Sequence, residues 1–506
     1  MYRKKQREQV EFEDFYLSFG GRLRSDNRWV RLAKLVPWAE IETHYAEQFN
    51  ERIGAPAISA RVAVASLIIK EKLGLSDEET VEQIRENPYL QYFLGYEAYT
   101  DEAPFDASMM VHFRRRLDES VLGEINSLIV DRRRERDHND RRDEPEDGPG
   151  GDAEVARGGS TEADDGGSTG NAGMLLMDAS CVPADIRYPT DLSILNEVRE
   201  KTELIIDRLH APDVGESEKP RTYRRRARKD FLAVAKKRRA SRKAIRKAIG
   251  KQLRYIRRNL KAINELAGRN GLSFLSRREY RNLLVCSEVY RQQNYMYEND
   301  VRSVSGRIVS VSQPHVRPII RGKAGRPVEF GAKISASKID GYAYLDRLSW
   351  EAYHEAEDLQ PRIEAYRRRF GCYPESVHVD AIYRTRANRA YCTEHGIRIS
   401  GPPLGRPKKH PTGEEKRQTR EDERKRIAIE GVFGRAKRAY SLSRIMAKRA
   451  DTAQTSIALA FLVMNLDTML RHLLCLLRWM VFPLAGRRQT PPHSFIAVSS
   501  GSASSI

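Results

Sequence analysis

Apolar residues follow two different periods along this chain of 506 residues, and the change of period marks its organisation. Up to about residue 130 the spacing is helical. Ile58 to Leu73 repeats apolar side chains at helical intervals, Gly74 stands where such a helix stops, and Ser76-Asp-Glu-Glu79 has capping-box spacing for the next helix. Asn87-Pro88 ends that second helix, because the residue before a proline is driven out of helical geometry. Asp106 or Ser108 can cap a third, which closes on Phe113-Arg114-Arg115-Arg116-Leu117. Beyond residue 174 a two-residue period takes over. Met174-Leu-Leu-Met177 is a short apolar strand running into Asp178. Val328 to Ser337 alternates, with Phe330, Ala332, Ile334 and Ala336 on one face, and Asp340-Gly341 signals a hairpin turn into Tyr342 to Trp350. Glu357 to Phe370 then reads as a helix, Ser376 to Val379 as a buried strand ending at Asp380, Arg386 to His395 as a helix and Ile397 to Ser400 as a strand. A strand, a hairpin and then alternating helix and strand predict a mixed α/β sheet.

Two segments break this order. Asp131 to Gly173 has almost no bulky apolar residue and reads as a disordered linker. Between about 190 and 300 lies basic helical sequence, in which Ile245, Ile249, Leu253, Ile256, Leu260 and Ile263 form a stripe on one long amphipathic helix. The predicted division is therefore a helical domain at 1–130, a linker at 131–173, an α/β core at 174–189 and 301–470, a basic helical insertion at 190–300, and a C-terminal helix with a disordered tail at 471–506. Ile457 to Leu484 is apolar, but Asp467, Arg471, His472 and Arg478 interrupt it, so it predicts a core helix and an amphipathic one instead of a membrane span.

Charge sharpens the picture. The chain carries 89 Lys and Arg against 70 Asp and Glu, a net charge of +19. From Arg221 to Lys261 there are 19 cations and a single acid, Asp230, so this one segment holds a net of +18. Ordinary solvated faces mix both signs, and this one does not, which favours a polyanion such as nucleic acid over a basic arm that mainly dimerises. Arg224, Arg225, Arg226, Lys236, Lys237, Arg238 and Arg239 are the candidate backbone contacts. Arg114, Arg115 and Arg116 suit a small DNA-binding module of helix-turn-helix type, against the plainer reading of a basic helical surface. The 5 cysteines, Cys181 among them, are scattered without a C-x-x-C pair, which excludes a disulfide framework and a zinc ribbon and points to a reducing cytoplasm. The N-terminus is basic with no apolar stretch behind it, unlike a secretory signal. His315 and Lys323 read as a loop able to touch DNA, or as a plain turn.

Asp178 and Asp380 each follow a short apolar run, so each carboxylate is expected at a strand end, where α/β sites collect. Either alone reads as a turn residue; as a pair they suggest chemistry. Glu430 lies about 40° round a helix from Arg426 and about 20° from Lys437. A neighbouring stripe of Ile429, Phe433, Ala436 and Tyr440 can dock that helix on the sheet, and Gly431 and Gly434 suggest a close approach there. The plain alternative is an ordinary surface pair of Arg426 and Glu430. Three carboxylates amid cations suit paired divalent ions, which activate a water or hydroxyl and stabilise the leaving oxygen in phosphodiester displacement. Dispersed histidines, 11 in all, make zinc hydrolysis a poorer fit.

As a set, four stretches resemble the DDE transposases of bacterial insertion sequences, specifically the insertion sequence five superfamily and its eleven-eighty-two-like branch. They are Pro104 to Leu117, Asp178-Ala-Ser-Cys-Val-Pro183 continued by Tyr188-Pro-Thr-Asp191, Asp380-Ala-Ile-Tyr-Arg-Thr-Arg386 with Ile397 to Pro407, and Arg426-x3-Glu430-x6-Lys437. The resemblance implies an RNase H-like catalytic core that binds two Mg²⁺, with Mn²⁺ able to substitute, through Asp178, Asp380 and Glu430. It also implies that Arg426 and Lys437 contact transposon-end DNA. One departure stands out: Glu423 occupies the place of the family's Tyr, on the same helix face as Glu430, which leaves open a role as an extra ligand. The expected function is cleavage at terminal inverted repeats and joining to target double-stranded DNA, by a homodimer or larger assembly in the cytoplasm with no membrane partner. The alternatives are a catalytically silent DNA-binding relative and a nuclease that cuts without joining.

Overall fold

The structure is a computed structural model that describes residues 11, 13–49, 56–142, 170–323, 326–402, 405 and 412–481. Seven helices come first: α1 (Arg28–Leu35), α2 (Trp38–Ala46), α3 (Ala60–Leu73), α4 (Asp77–Glu86), α5 (Pro88–Leu94), α6 (Met109–Arg116) and α7 (Glu119–Arg142). The local signals act as the sequence suggests. Ser59 caps α3, Gly74 closes it at φ 69°, and the Ser76 hydroxyl accepts the Glu79 N–H at 3.0 Å. Asn87 caps α5 with Pro88 in its first turn. Ser108 is the N-cap of α6, but its side chain makes no capping bond; Asp106 instead accepts the Ser108 N–H at 2.9 Å.

Two expectations for this region change. Helix α7 continues to Arg142, past the boundary placed at 130, because its polar continuation is tied down: Arg132 pairs with Glu40 at 3.0 Å, and Arg134 pairs with Asp340 and lies over the Phe370 ring at 4.2 Å. Residues 143–169 of the segment read as a linker lie outside the described residues, as does the tail beyond 481; the segment's last residues are ordered against the sheet domain, with the Ala172 N–H on the Tyr373 carbonyl at 2.9 Å and Asn171 Nδ2 on the His395 carbonyl at 2.8 Å. Arg114 is not a free DNA contact: it is 8% exposed and both terminal guanidinium nitrogens bind Asp77, at 2.8 and 2.6 Å, tying α6 to the start of α4. Arg115 is exposed, and Arg116 stacks its guanidinium over Phe49 at 4.7 Å.

Strand β1 (Met174–Pro183) opens the sheet. After it come the helices of the insertion, α8 (Asp191–His210), α9 (Arg224–Ala235), α10 (Arg242–Asn270) and α11 (Arg277–Glu298). The chain returns through β2 (Arg317–Lys323), β3 (Arg326–Ile339) and β4 (Tyr342–Ser349), then α12 (Leu359–Phe370), β5 (Ser376–His378), α13 (Arg386–Glu394) and β6 (Arg398–Ile399). It finishes in α14 (Gly413–Ala439) and α15 (Ala450–Val481). The strand order is β2-β3-β1-β5-β6, with β4 also on β3. Strands β1 to β4 pair antiparallel, and β5 and β6 are parallel to β1. Asp340 and Gly341 make the β3–β4 turn with φ of 50° and 89°, the conformation a tight hairpin requires.

The basic stretch is two helices instead of one, separated at Lys236 to Ser241. Four adjacent cations repel there, and the Ser241 hydroxyl caps a new helix through the Ala244 N–H. The stripe on α10 is used within the chain: Leu253 and Ile256 pack with Ile194, Leu195 and Val198 of α8 and Val289 of α11, and Ile263 packs with Ile205 and Leu209. Arg224 is also engaged internally, with Asp207 and the Glu203 carbonyl. Arg225, Arg226 and Lys236 through Arg239 are exposed.

The N-terminal helices, the sheet, α14 and α15 share one hydrophobic core, so the first helices are not packed as an independent unit. The stretch Ala450–Leu473 of α15 is apolar and long enough to cross a membrane, but most of it is buried against α7, β4, α6 and α3. The predicted break at 470 falls inside this continuous helix. The region of His315 and Lys323 is no open loop either. Strand β2 covers Arg317–Lys323, and His315 packs edge-on against Trp350 at 4.4 Å, where burial pushes its pKa down to about 4.

Candidate active site

The two aspartates meet through strand register. Strands β1 and β5 run parallel with Met174 beside Ser376 and Leu176 beside His378. The offset is 376 − 174 = 202 residues, and continuing it by two positions sets Asp380 beside Asp178. Asp178 is therefore not at the end of its own strand, as expected, but midway along β1, where the shorter β5 gives out and leaves one edge open. Asp380 follows β5 directly, and its Oδ1 accepts the Ala381 N–H at 2.7 Å at the head of a 3₁₀ turn, Ala381–Tyr383. Asp178 likewise accepts the Ala179 N–H at 2.8 Å.

Burial pushes the Asp178 carboxyl up to about 6; the Ala179 N–H opposes this, the negative charges of Glu355 and Asp380 reinforce it, and Arg426 draws it back. Three charged groups from separate elements thus act on Asp178 at the sheet edge. Arg384 belongs to the same neighbourhood. Burial lowers its pKa, Asp380 raises it, and Arg389 and Arg426 lower it further.

Helix α14 brings the third motif. Thr412 and Glu415 form a capping box at its start, and Ile429, Val432, Phe433 and Ala436 are buried against the sheet, with Tyr440 just beyond its end. Its first half is anchored by Asp422, which accepts two hydrogen bonds from Arg398 of β6, at 2.7 and 3.0 Å, and one from Gln418 at 3.0 Å. Burial works against ionisation of Asp422, but these donors hold its pKa below the usual range. On the face turned to the aspartates, Arg426 binds Glu430 at 2.9 Å, and Lys437 donates to Ser180 at 3.1 Å. Ser180 shares a face of β1 with Asp178, since alternate residues of a strand point the same way. Gly431 has open space where a side chain would be and Gly434 meets only Arg438, so no close approach explains either. Glu423 is exposed on α14.

The structure thus unites Asp178, Asp380 and Arg426, with Lys437 joined through Ser180 and Glu430 held by Arg426. Arg114, Arg115 and Arg116 belong to the N-terminal helices and the basic insertion is a separate bundle. Among the described residues, no three His, Cys, Asp or Glu side chains are gathered closely enough to hold a metal ion. The donor chemistry of the aspartate pair nonetheless fits a divalent cation: two hard carboxylate oxygen donors whose mutual repulsion such an ion offsets. Sequence reading missed Glu355. It lies among Glu351, Glu355, Glu357 and Asp358, an acid-rich run before α12 that shows a signal without showing which member faces the site.

A family profile described as "Transposase domain (DUF772)" matches residues 17–116, and one described as "Transposase DDE domain" matches residues 377–467, taking in Asp380, Arg426, Glu430 and Lys437. The chain is also similar to "Uncharacterized protein ORF8 in nfe locus" of Rhizobium meliloti, 42% identical over 102 residues, which is 20% of this chain and 49% of that protein. The chain thus spans about half the length of that curated relative. No solved structure matches it significantly. A transposase domain followed on one chain by a transposase DDE domain supports a DDE transposase of an insertion sequence.

Proposed function

We propose that this transposase binds the terminal inverted repeats of its element, hydrolyses DNA strands at the ends and joins the freed 3′ hydroxyls to target DNA. The observation that carries the reading is the parallel register that sets Asp380 beside Asp178, with Arg426 of α14 acting on the same edge. We read the sheet as RNase H-like, and the chain as a member of the insertion sequence five superfamily in its eleven-eighty-two-like branch. Asp178, Asp380 and Glu430 would hold divalent cations, Mg²⁺ first with Mn²⁺ as a substitute. When bound, such ions supply activation of the attacking oxygen and stabilisation of the leaving one. Arg426 and Lys437 hold the phosphates in line, and Arg115, Arg116, Arg225, Arg226 and Lys236 through Arg239 neutralise more distant backbone. Arg114 and Arg224 support the helices that carry those contacts. Two ends must meet for joining, so the working form on DNA is a dimer or larger, at the nucleoid in the cytoplasm.

The intact Asp, Asp, Glu set with its flanking Arg and Lys favours an enzyme over a silent DNA-binding relative. In an assay with end-containing duplex and Mg²⁺, Asp178→Ala, Asp380→Ala and Glu430→Ala are each expected to abolish cleavage while leaving DNA binding largely intact. Full cleavage by any one of the three removes that residue from the site. A target plasmid in the same assay separates a transposase, which joins, from a nuclease, which only cuts.

A further inference from the structure

We infer that Arg384 is a further DNA contact of the site at Asp178 and Asp380, its guanidinium held at the sheet edge to receive one backbone phosphate of the DNA end being cut. The inference rests on the DNA-cleaving reading above and adds to it a cation outside the pair Arg426 and Lys437.

A gap in a strand ladder places the guanidinium. Strands β5 and β6 run parallel, and their ladder advances two residues at a time. The Arg398 N–H donates to the Glu375 carbonyl at 2.9 Å, and the Ser400 N–H to the Val377 carbonyl at 2.8 Å. The next donor in this series is residue 402, opposite the Val379 carbonyl. Residue 402 is a proline and has no N–H. Arg384 Nη2 takes its place and donates to the Val379 carbonyl at 3.1 Å. The guanidinium therefore lies at the end of β5 where Asp380, the residue after Val379, stands beside Asp178.

Its neighbours keep it there. Gly401 has φ 101°, and a Cβ on it would lie 2.0 Å from Arg384 Nη1 and 2.2 Å from its Cζ, so any side chain at 401 would push the guanidinium off. Arg389 clamps the turn to the strand end, with Nη2 on the Pro402 carbonyl at 2.8 Å and Nε on the Arg384 carbonyl at 3.3 Å. The Arg384 N–H meets the Ala381 carbonyl at 3.1 Å, which closes the same 3₁₀ turn that Asp380 opens. The cation and the aspartate are thus fixed to each other by one turn.

Its charge is left over. Arg384 is half-buried, and among the described residues no carboxylate stands within ion-pair distance of it. Its Nε is buried without a hydrogen-bond partner. Asp380 does not serve it, because Oδ1 of that residue takes the Ala381 N–H. Arg426 at the same edge differs, being paired with Glu430 at 2.9 Å. A half-buried cation without a counter-ion carries a desolvation cost that an arriving anion offsets, and the planar fork of a guanidinium matches two oxygens of a phosphate.

The competing role for Arg384 is completion of the ladder alone. One carbonyl needs one neutral donor, and five N–H donors with a permanent charge exceed that need.

The test uses the full-length protein with Mg²⁺ and end-containing duplexes that each carry one methylphosphonate, which removes the charge of a single phosphate, at successive positions around the cut. Cleavage rates at saturating DNA are compared for wild type and Arg384→Gln, with circular dichroism to establish folding. Arg384→Gln is expected to cut unmodified duplex about ten-fold more slowly. At one position the methylphosphonate is expected to slow the wild type by about ten-fold and the variant by less than about three-fold, since that contact is already gone. Equal slowing of both proteins at every position overturns the proposal, because it is what a purely structural arginine gives. Should Arg384→Gln not fold, Arg384→Lys keeps the charge and gives up the planar fork. Slowing smaller than that of wild type at one position then supports the contact, and equal slowing throughout overturns it. Arg426→Gln in the same series separates the two levels. If it shows a coupled phosphate and the Arg384 variants show none, only the Arg384 assignment falls; if the wild type cuts no duplex, the unmodified one included, the DNA-cleaving reading falls and this inference with it.

Discussion

At the scale of single residues, burial decides which charges remain available. Arg114 and Arg115 are neighbours in one basic run, yet the first is enclosed against Asp77 and the second is exposed. Glu71 of α3 shows the same principle for an acid. It is 6% exposed and one carboxylate oxygen has no hydrogen bond. Burial pushes its pKa up to about 7, with the Ser441 hydroxyl and Lys70 pulling the other way. The native state therefore holds this proton more tightly than the unfolded chain, and stability falls as pH rises from the ordinary carboxyl range through 7. Glu71→Gln removes the need to ionise. Denaturant unfolding is expected to show the variant more stable than the parent by on the order of 1–3 kcal/mol at pH 8, with the gain gone by pH 4.

At the scale of elements, most of the helices and strands were legible, because caps, turns and periodicity are local. The Asp340-Gly341 turn, the α3 stop at Gly74 and the buried stripe of α14 all lie where the pattern places them. Strand β2 was missed: it pairs over few residues at the end of β3, and Ile320 on it is exposed, so no alternation announces it. The contact of β1 with β3 depends on a glycine that periodicity does not explain. A Cβ on Gly331 would lie 2.0 Å from the Val182 carbonyl oxygen and 2.9 Å from the Pro183 Cα, both main-chain atoms with little room to move. Gly331→Ala is expected to cost about 2–3 kcal/mol in thermal or denaturant unfolding, the upper part of the range for overpacking. A loss under about 0.5 kcal/mol would mean that the two strands separate without penalty.

At the scale of the whole molecule, nearly all of the net charge lies in the segment Arg221 to Lys261, within an insertion that has a core of its own. The insertion's apolar stripe is consumed by α8 and α11, which leaves its cations, not its hydrophobic face, as the surface offered to a partner. Reversing Lys236, Lys237, Arg238 and Arg239 to Glu is expected to weaken binding to end-containing DNA. It should also flatten the dependence of log K on log salt by up to about 3.6, or 0.9 for each lost phosphate contact. Fluorescence anisotropy across a salt series reads both, and an unchanged slope assigns this charge to assembly of subunits.

The sequence by itself determined the secondary elements, the position of the basic insertion and the three motifs, since each is written in residues a few positions apart. Only the tertiary structure decided which of these meet. Asp178 and Asp380 become neighbours through a register spanning 202 residues, and Arg114 and Arg224 are withdrawn into internal pairs. Electrostatic interaction follows distance through space, and the periodicity of a chain fixes which face a side chain takes but not what lies opposite it.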